Sequence, residues 1–175
     1  MLDYLVVYES ESGNTRKIAA TIFSHLPGNS KDLIDITAGK TIPEAEVYFV
    51  GYCVHQGSCS MIVSDFLNSL SGKQIALFAT CGTGESPNYY EQVEHSASAW
   101  IESDNKYLGA FICRGRMPQS VRKKIEGKKT PENAAQADRL LQDFDSALSH
   151  PDSLDEEHAK VFADKILKDL QKENI

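Results

Sequence analysis

Apolar, strand-like segments alternate with segments of helical periodicity over the first two thirds of the chain. The strand candidates are residues 2–8, 32–36, 47–51, 73–80 and 107–113, and the helical segments between them are residues 15–26, 61–70 and 88–101. Strands that alternate with helices form a mostly parallel sheet with helices on both faces. The sequence therefore predicts an α/β fold, a doubly wound five-stranded parallel sheet.

The order of the strands follows from their apolar content. The first, third and fourth strand candidates are continuously apolar, which is typical of central strands, whereas the short, polar second strand belongs at an edge. With right-handed crossovers these placements predict the strand order 2-1-3-4-5. In a sheet of this order, ligands bind at the carboxyl ends of the strands, where the direction of winding reverses.

The last third of the chain has a different pattern. Helical periodicity covers residues 118–125, 132–148 and 155–170. Residues 114–150 are therefore predicted to form a helical excursion before the closing helix, whose start Asp152 or Ser153 would cap. At 175 residues the chain can build one full hydrophobic core but hardly two, which predicts a single domain over residues 1–175.

The charge balance limits the classes of partner. The chain has 25 acidic and 18 basic residues, a formal net charge of −7, which argues against nucleic acid. An acidic surface suits docking on a basic partner or serves solubility alone, and both interpretations stay open. No apolar run approaches the roughly 20 residues of a membrane span, and the first residues are typical of neither a signal nor a transit peptide. We expect a cytoplasmic protein without a membrane partner.

A polar turn follows the first strand and runs directly into the first helix. It reads Ser10-Glu11-Ser12-Gly13-Asn14-Thr15. Such a strand–turn–helix junction directs backbone N–H groups and the positive end of a helix to one point, where an anion binds. An ordinary N-cap would need one such side chain, not four. Because the turn offers neutral donors and no lysine, it suits a phosphate that is held and not transferred.

Two further loops meet this turn at the predicted carboxyl edge, residues 52–60 and residues 80–87. Both are rich in Gly, Ser, Thr and Cys, which let the backbone approach a flat ligand closely. The four cysteines are Cys53, Cys59, Cys81 and Cys113. Their spacing favours neither a disulfide framework nor a structural zinc site, so we predict small buried hydrophobic residues and no metal.

The turn at residues 10–15 resembles the [TS]-x-[TS]-G-x-T phosphate loop of flavodoxins, and residues 78–84 resemble the family's third flavin loop. The order and spacing of roughly the first 115 residues also match. Residues 111–116 and 150–152 are similar to a flavodoxin-like subgroup from anaerobic bacteria. The resemblance implies the cofactor FMN. Glu11 occupies a tolerant position of the loop, where a carboxylate must point away from the phosphate.

The resemblance also implies which residues bind the cofactor. Ser10, Ser12, Asn14 and Thr15, with the N–H groups of residues 11–15, Gly13 among them, would surround the phosphate. The second loop would border the flavin ring with Tyr52, Cys53, Val54, His55, Gln56 and Gly57. The third would bind its pyrimidine edge with Thr80, Cys81, Gly82, Thr83 and Gly84. The candidates for stacking on the ring are Tyr52, His55, Tyr89 and Tyr90.

These expectations indicate an electron carrier without catalytic residues, a monomer or weak dimer that docks on a reductase and then on an acceptor. The loops contain few basic residues, and Glu85, Glu91 and Glu94 are expected nearby, which would disfavour the negatively charged reduced flavin and lower its potential. Two alternatives stay open. One is an FMN-dependent NAD(P)H reductase of quinones or other small acceptors, and the other is a flavin-free binding module.

Overall fold

The computed structural model describes residues 1–83 and 86–173. Its five strands form one sheet in which every neighbouring pair is parallel, in the order β2-β1-β3-β4-β5. The strands are β1 (Leu2–Tyr8), β2 (Lys31–Asp35), β3 (Ala45–Cys53), β4 (Gln74–Cys81) and β5 (Lys106–Arg114). The predicted fold class and strand order are confirmed.

Six α-helices accompany the sheet among the described residues. They are α1 (Asn14–His25), α2 (Met61–Ser69), α3 (Pro87–Ser98), α4 (Gln119–Gly127), α5 (Ala134–Ala147) and α6 (Ser153–Glu173). A single 3-10 turn, Ile36–Ala38, follows β2. The two helices of the predicted excursion are α4 and α5. No helix among residues 1–83 and 86–173 is both long and apolar enough to cross a bilayer.

The central strands are continuously apolar because both faces of the sheet are covered. Along β1, Leu5 and Val7 point into one core layer, and Val6 and Tyr8 point into the other. Helices α2 and α3 close the first layer, and α1 and α6 close the second. Alternate residues of one strand thus enter opposite layers, and both layers exclude water.

Helix α3 is shorter than its periodicity predicts. The pattern extends to residue 101 with Trp100 facing the core, but α3 ends at Ser98 and Trp100 is 48% exposed. The N–H groups of Trp100 and Ile101 donate to the carbonyls of Ala97 and Ser98, three residues back. These tighter bonds end the α-helical geometry, so Trp100 is rotated away from the apolar face.

Polar contacts attach α5 to the sheet edge and cap the start of α6. The buried guanidinium of Arg114, the last residue of β5, donates to the Ser146 hydroxyl at 2.9 Å and to the Asp143 carbonyl at 2.8 Å. Asp152 caps α6, as predicted, by accepting from the N–H groups of Leu154 and Asp155. The first contact holds α5 beside the carboxyl end of β5, where the candidate site lies.

Candidate functional site

A cavity of about 670 Å³ lies at the carboxyl edge of the sheet, beyond the ends of β1, β3 and β4. This volume is within the usual range for small-molecule sites. The predicted site residues that line it are Glu11, Ser12, Asn14, Cys53, Val54, His55, Gln56, Gly57, Thr80, Cys81, Gly82, Thr83 and Tyr89. The three loops, whose lining residues lie up to 72 positions apart in sequence, therefore line one cavity. The strand order explains this, because β1, β3 and β4 are neighbours and their carboxyl ends lie side by side.

Five predicted residues do not line the cavity. Ser10 and Gly13 lie in the first loop outside the cavity lining, Thr15 is buried beneath it, and Tyr90 follows the lining residue Tyr89 in α3. Tyr52 is fully buried, with its hydroxyl 3.5 Å from the Val93 carbonyl, and burial raises its pKa. The Tyr52 ring therefore has no access to the cavity. Gly84 lies outside the described residues.

The loop after β5 also lines the cavity, although the sequence patterns did not predict it. It contributes Gly115, Arg116, Met117 and Pro118, and Val121 follows on α4. A Cβ on Gly82 would lie within 2.9 Å of the Met117 sulfur, so the third loop and this fourth loop are in close contact. Its position in the sequence could have predicted this, because residues 114–118 follow a strand that ends at the same carboxyl edge of the sheet.

The first turn of α1 is an open group of hydrogen-bond donors. Its N-cap, Gly13, has a left-handed φ of 88° and no capping side-chain bond among the described residues. The Ser10 hydroxyl accepts from the Gly13 N–H at 3.1 Å, and Lys17 N–H donates to the Gly13 carbonyl. The N–H groups of residues 14–16 lack intrahelical acceptors, because the first turn of any helix does. An anion beside Ser12 would satisfy them.

Asn14 connects this turn to the fourth loop. Its Nδ2 donates to the Arg116 carbonyl at 2.9 Å, and the Arg116 N–H donates to the His150 carbonyl. A Cβ on Gly115 would lie 2.5 Å from Asn14 Nδ2, so glycine is needed for this approach. The side chain of Asn14 thus positions the fourth loop beside the helix N-terminus, and its amide nitrogen already has an acceptor.

Thr15 connects the first loop to the third from below the cavity floor. Thr15 and Thr80 are both buried, and their hydroxyl oxygens are 2.9 Å apart. We expect Thr80→Val to lower the free energy of unfolding by about 1–3 kcal/mol, because the Thr15 hydroxyl is then buried without its partner. Chemical denaturation measures this loss. The double variant Thr15→Val/Thr80→Val should recover most of it, and equal losses in both variants would contradict the pairing.

The second loop contains a tight two-residue hairpin. His55 and Ser58 exchange two backbone hydrogen bonds around Gln56 and Gly57, whose φ angles are 49° and 83°. Both values are positive, as in a type I′ turn, which favours glycine or asparagine. A glutamine in this conformation costs about 1–2 kcal/mol, so the surrounding structure holds Gln56 in a strained turn at the cavity wall.

The cysteines fall into two classes. Cys81 and Cys113 are buried, as predicted, whereas Cys53 and Cys59 are half-buried in the second loop. Cys53 Sγ lies 3.2 Å from His55 Nε2. Burial, aided by the charge of Glu9, raises the pKa of the Cys53 thiol to about 11.

The charges around the cavity differ from those predicted. Glu94 accepts from the hydroxyl of Tyr107 at 2.6 Å, and Tyr107 lies at the amino end of β5, so Glu94 is at the opposite edge of the sheet. Glu85 lies outside the described residues. Among the described residues, Glu11 and Arg116 are the charged side chains that line the cavity. Glu11 Oε1 lies 3.6 Å from His55 Nε2, so this carboxylate is turned toward the second loop.

Comparisons with known sequences agree with this architecture. The model of the flavodoxin domain family matches residues 5–164. The chain is 31% identical over 169 residues to the flavodoxin-like domain-containing protein BilS of Clostridioides difficile (strain CD3), covering 93% of this chain and 95% of the relative. The protein of the same name from Clostridium symbiosum (strain WAL-14163) is 27% identical over 173 residues, which cover 88% and 90% of the two chains.

Solved structures share the fold at low sequence identity. The flavodoxin of Streptococcus pneumoniae TIGR4 superposes with a TM-score of 0.55 at 16% identity, covering 95% of this chain and 98% of that one. The rubredoxin oxygen:oxidoreductase of Desulfovibrio gigas gives a TM-score of 0.63 at 15% identity and covers 97% of this chain, but this chain spans only 36% of it. On the family match and the relatives of nearly equal length, the chain belongs to the flavodoxin family.

Proposed function

We propose that this protein binds FMN in the carboxyl-edge cavity and carries electrons in the cytoplasm between a reductase and an acceptor protein. The observation that carries the proposal is the first turn of α1. It has no capping side chain among the described residues, and its first residue, Asn14, lines the 670 Å³ cavity together with Ser12. Helix-terminal N–H groups at the edge of a cavity of this size suit a ligand with one phosphate and one large apolar part.

The donor set fits the FMN phosphate. The N–H groups of residues 14–16 and the hydroxyl of Ser12 are neutral donors, which bind a phosphate without activating it for transfer. Glu11 lies in the same loop, but its carboxylate is beside His55 and 71% exposed. It therefore repels a phosphate less than its place in the sequence implies. Arg116, which lines the cavity beside Asn14, adds a positive charge on this side.

The remaining walls fit the flavin ring. Gly82 and Thr83 line the cavity on the side of the third loop, where their backbone groups would meet the polar edge of the ring, whereas the Thr80 carbonyl already accepts from the Val54 N–H. His55 and Tyr89 are the aromatic side chains that line the cavity. When bound, FMN would supply the one- and two-electron redox chemistry. The protein would supply binding, orientation and the electrostatic environment. Neither a proton transfer nor a nucleophile is required, which favours a carrier over an enzyme.

The test begins with an absorption spectrum of the purified protein after FMN is added and the protein is desalted. Retained flavin that is reduced only when NADPH and ferredoxin–NADP⁺ reductase are both present, and then passes electrons to cytochrome c, supports the carrier. Steady oxidation of NAD(P)H by the protein alone would support the reductase instead. A protein that retains no flavin would contradict the proposal and leave the flavin-free binding module.

A further inference from the structure

Three side chains of different ligand chemistry converge beside the cavity. Glu9 directly follows β1, Cys53 is the last residue of β3, and His55 begins the hairpin of the second loop. One carboxylate oxygen, the Cys53 sulfur and one imidazole nitrogen all lie within 4.8 Å of one another. Glu9 and Cys53 are half-buried and His55 is exposed on the cavity side. The cluster thus joins two chain segments more than 40 residues apart.

The separation of Cys53 and His55 is close to that of two ligands around one small cation. In a tetrahedral zinc site, with Zn–S of about 2.3 Å and Zn–N of about 2.05 Å, the sulfur and the nitrogen are about 3.6 Å apart. Cys53 Sγ and His55 Nε2 are 3.2 Å apart, so these two ligands require a movement of only a few tenths of an ångström, and the Glu9 oxygen lies within 4.8 Å of both. The set of sulfur, nitrogen and oxygen ligands suits Zn²⁺ better than Mg²⁺ or Ca²⁺, which prefer oxygen alone.

The arrangement differs from that of a nucleophilic relay. In such a relay the thiol and the carboxylate contact opposite nitrogens of the imidazole, so that one proton can be passed along. Here Cys53 Sγ and Glu11 Oε1 both approach the same nitrogen, His55 Nε2, at 3.2 and 3.6 Å. Both atoms therefore compete for one nitrogen, which does not form a path for a proton through the ring from the thiol to a carboxylate.

The surroundings support a bound cation. The hydroxyl of Ser60 donates to Glu9 Oε2 at 2.7 Å, which orients this carboxylate as an outer-shell partner does at metal sites. A thiolate from Cys53 and the carboxylate of Glu9 would balance a divalent charge, and Glu11 adds a further negative charge nearby. Because Cys53, His55 and Glu11 line the cavity, a position not taken by protein would face it.

We propose that Glu9, Cys53 and His55 bind a divalent cation of the zinc class, with the remaining coordination position open to the cavity. As the sulfur–metal bond forms, the thiol proton passes to solvent, and no electron is transferred. Cysteine spacing alone could not predict this site, because two of its three ligands are not cysteines and one comes from another strand. The proposal does not depend on FMN, since its ligands are protein side chains.

The test is a titration of the full-length protein, free of any affinity tag, with Co²⁺ under reducing conditions. We expect a sulfur-to-cobalt charge-transfer band in the difference spectrum, which one equivalent of Zn²⁺ removes. Cys53→Ser should lack the band, and Cys59→Ser, which changes the other half-buried thiol of the same loop, should keep it. The absence of a band in the unaltered protein, its persistence in Cys53→Ser, or its loss in Cys59→Ser would overturn the assignment.

A second variant avoids any effect of Cys53 on folding. His55 is 43% exposed, so His55→Gln should fold normally. We expect its Zn²⁺ affinity, measured by calorimetry, to fall by more than about 100-fold, because even outer-shell partners are worth about 10- to 100-fold. His158→Gln, an exposed histidine on α6, should bind Zn²⁺ like the unaltered protein. Equal affinities in both variants would overturn the proposal, whether or not the protein retains FMN.

Discussion

Ser12→Asp is expected to weaken FMN binding by roughly 100-fold or more and to abolish flavin retention after desalting. Ser12 is exposed at the edge of the cavity, next to the uncapped first turn of α1. A carboxylate there would compete for the same N–H groups and repel the phosphate, and about 3 kcal/mol of repulsion corresponds to this loss of affinity. Quenching of flavin fluorescence during titration measures the dissociation constant.

The matched control places the same charge at the far end of the same helix. Ser24→Asp changes an exposed serine of α1 about 15 Å along the axis from Asn14, so it should bind FMN normally. Neither substitution should unfold the protein, and Ser12→Asp adds a negative charge that the positive helix end favours. Equal flavin retention by Ser12→Asp and the unaltered protein would contradict the placement of the phosphate at the first loop.

Gly51→Ala is expected to lower the free energy of unfolding by about 3 kcal/mol, the upper part of the range for overpacked cores. A Cβ on Gly51, in the central strand β3, would lie 2.9 Å from Phe78 Cδ2 and closer still to Cε2 and Cζ of the same ring. Phe78 is fully buried on the neighbouring strand and cannot move aside. For a chain of this length the melting temperature should fall by about 6–12 °C.

Two further variants separate overpacking from a general effect of alanine. Gly51→Ala/Phe78→Leu removes the ring atoms that the new methyl group meets, so the double variant should be more stable than the sum of the single losses predicts. Gly127→Ala, at the end of α4, meets nothing within 4 Å and should leave stability unchanged or raise it slightly. Additive losses in the double variant would show that the destabilisation by Gly51→Ala does not come from contact with the Phe78 ring.

Local patterns determined the elements and the position of the first loop. The apolar content of each strand set its place in the sheet, since only central strands are covered on both faces. The polar turn at residues 10–15 was identified because a strand, a turn and a helix are consecutive, so the N–H groups at the helix start are positioned by local geometry alone. These features need no information about distant residues.

Local sequence patterns could not predict where the side chains at the site point. Tyr52 was predicted to border the ligand, but the pleat of β3 directs its ring into the core opposite α3. Trp100 was predicted to face the core, but α3 ends before it. The fourth loop and the cluster of Glu9, Cys53 and His55 form only when strand ends distant in sequence lie side by side.

The sequence by itself therefore determined the fold class, the strand order and the loop that would hold a phosphate. The tertiary structure alone decided which side chains face the cavity, where its charges lie and which ligands converge beside it. The physical reason is that periodicity reports the type of one element and which of its faces is buried. Contacts across the sheet depend on the pleat, the register and the exact end of each strand, and no local pattern encodes all three.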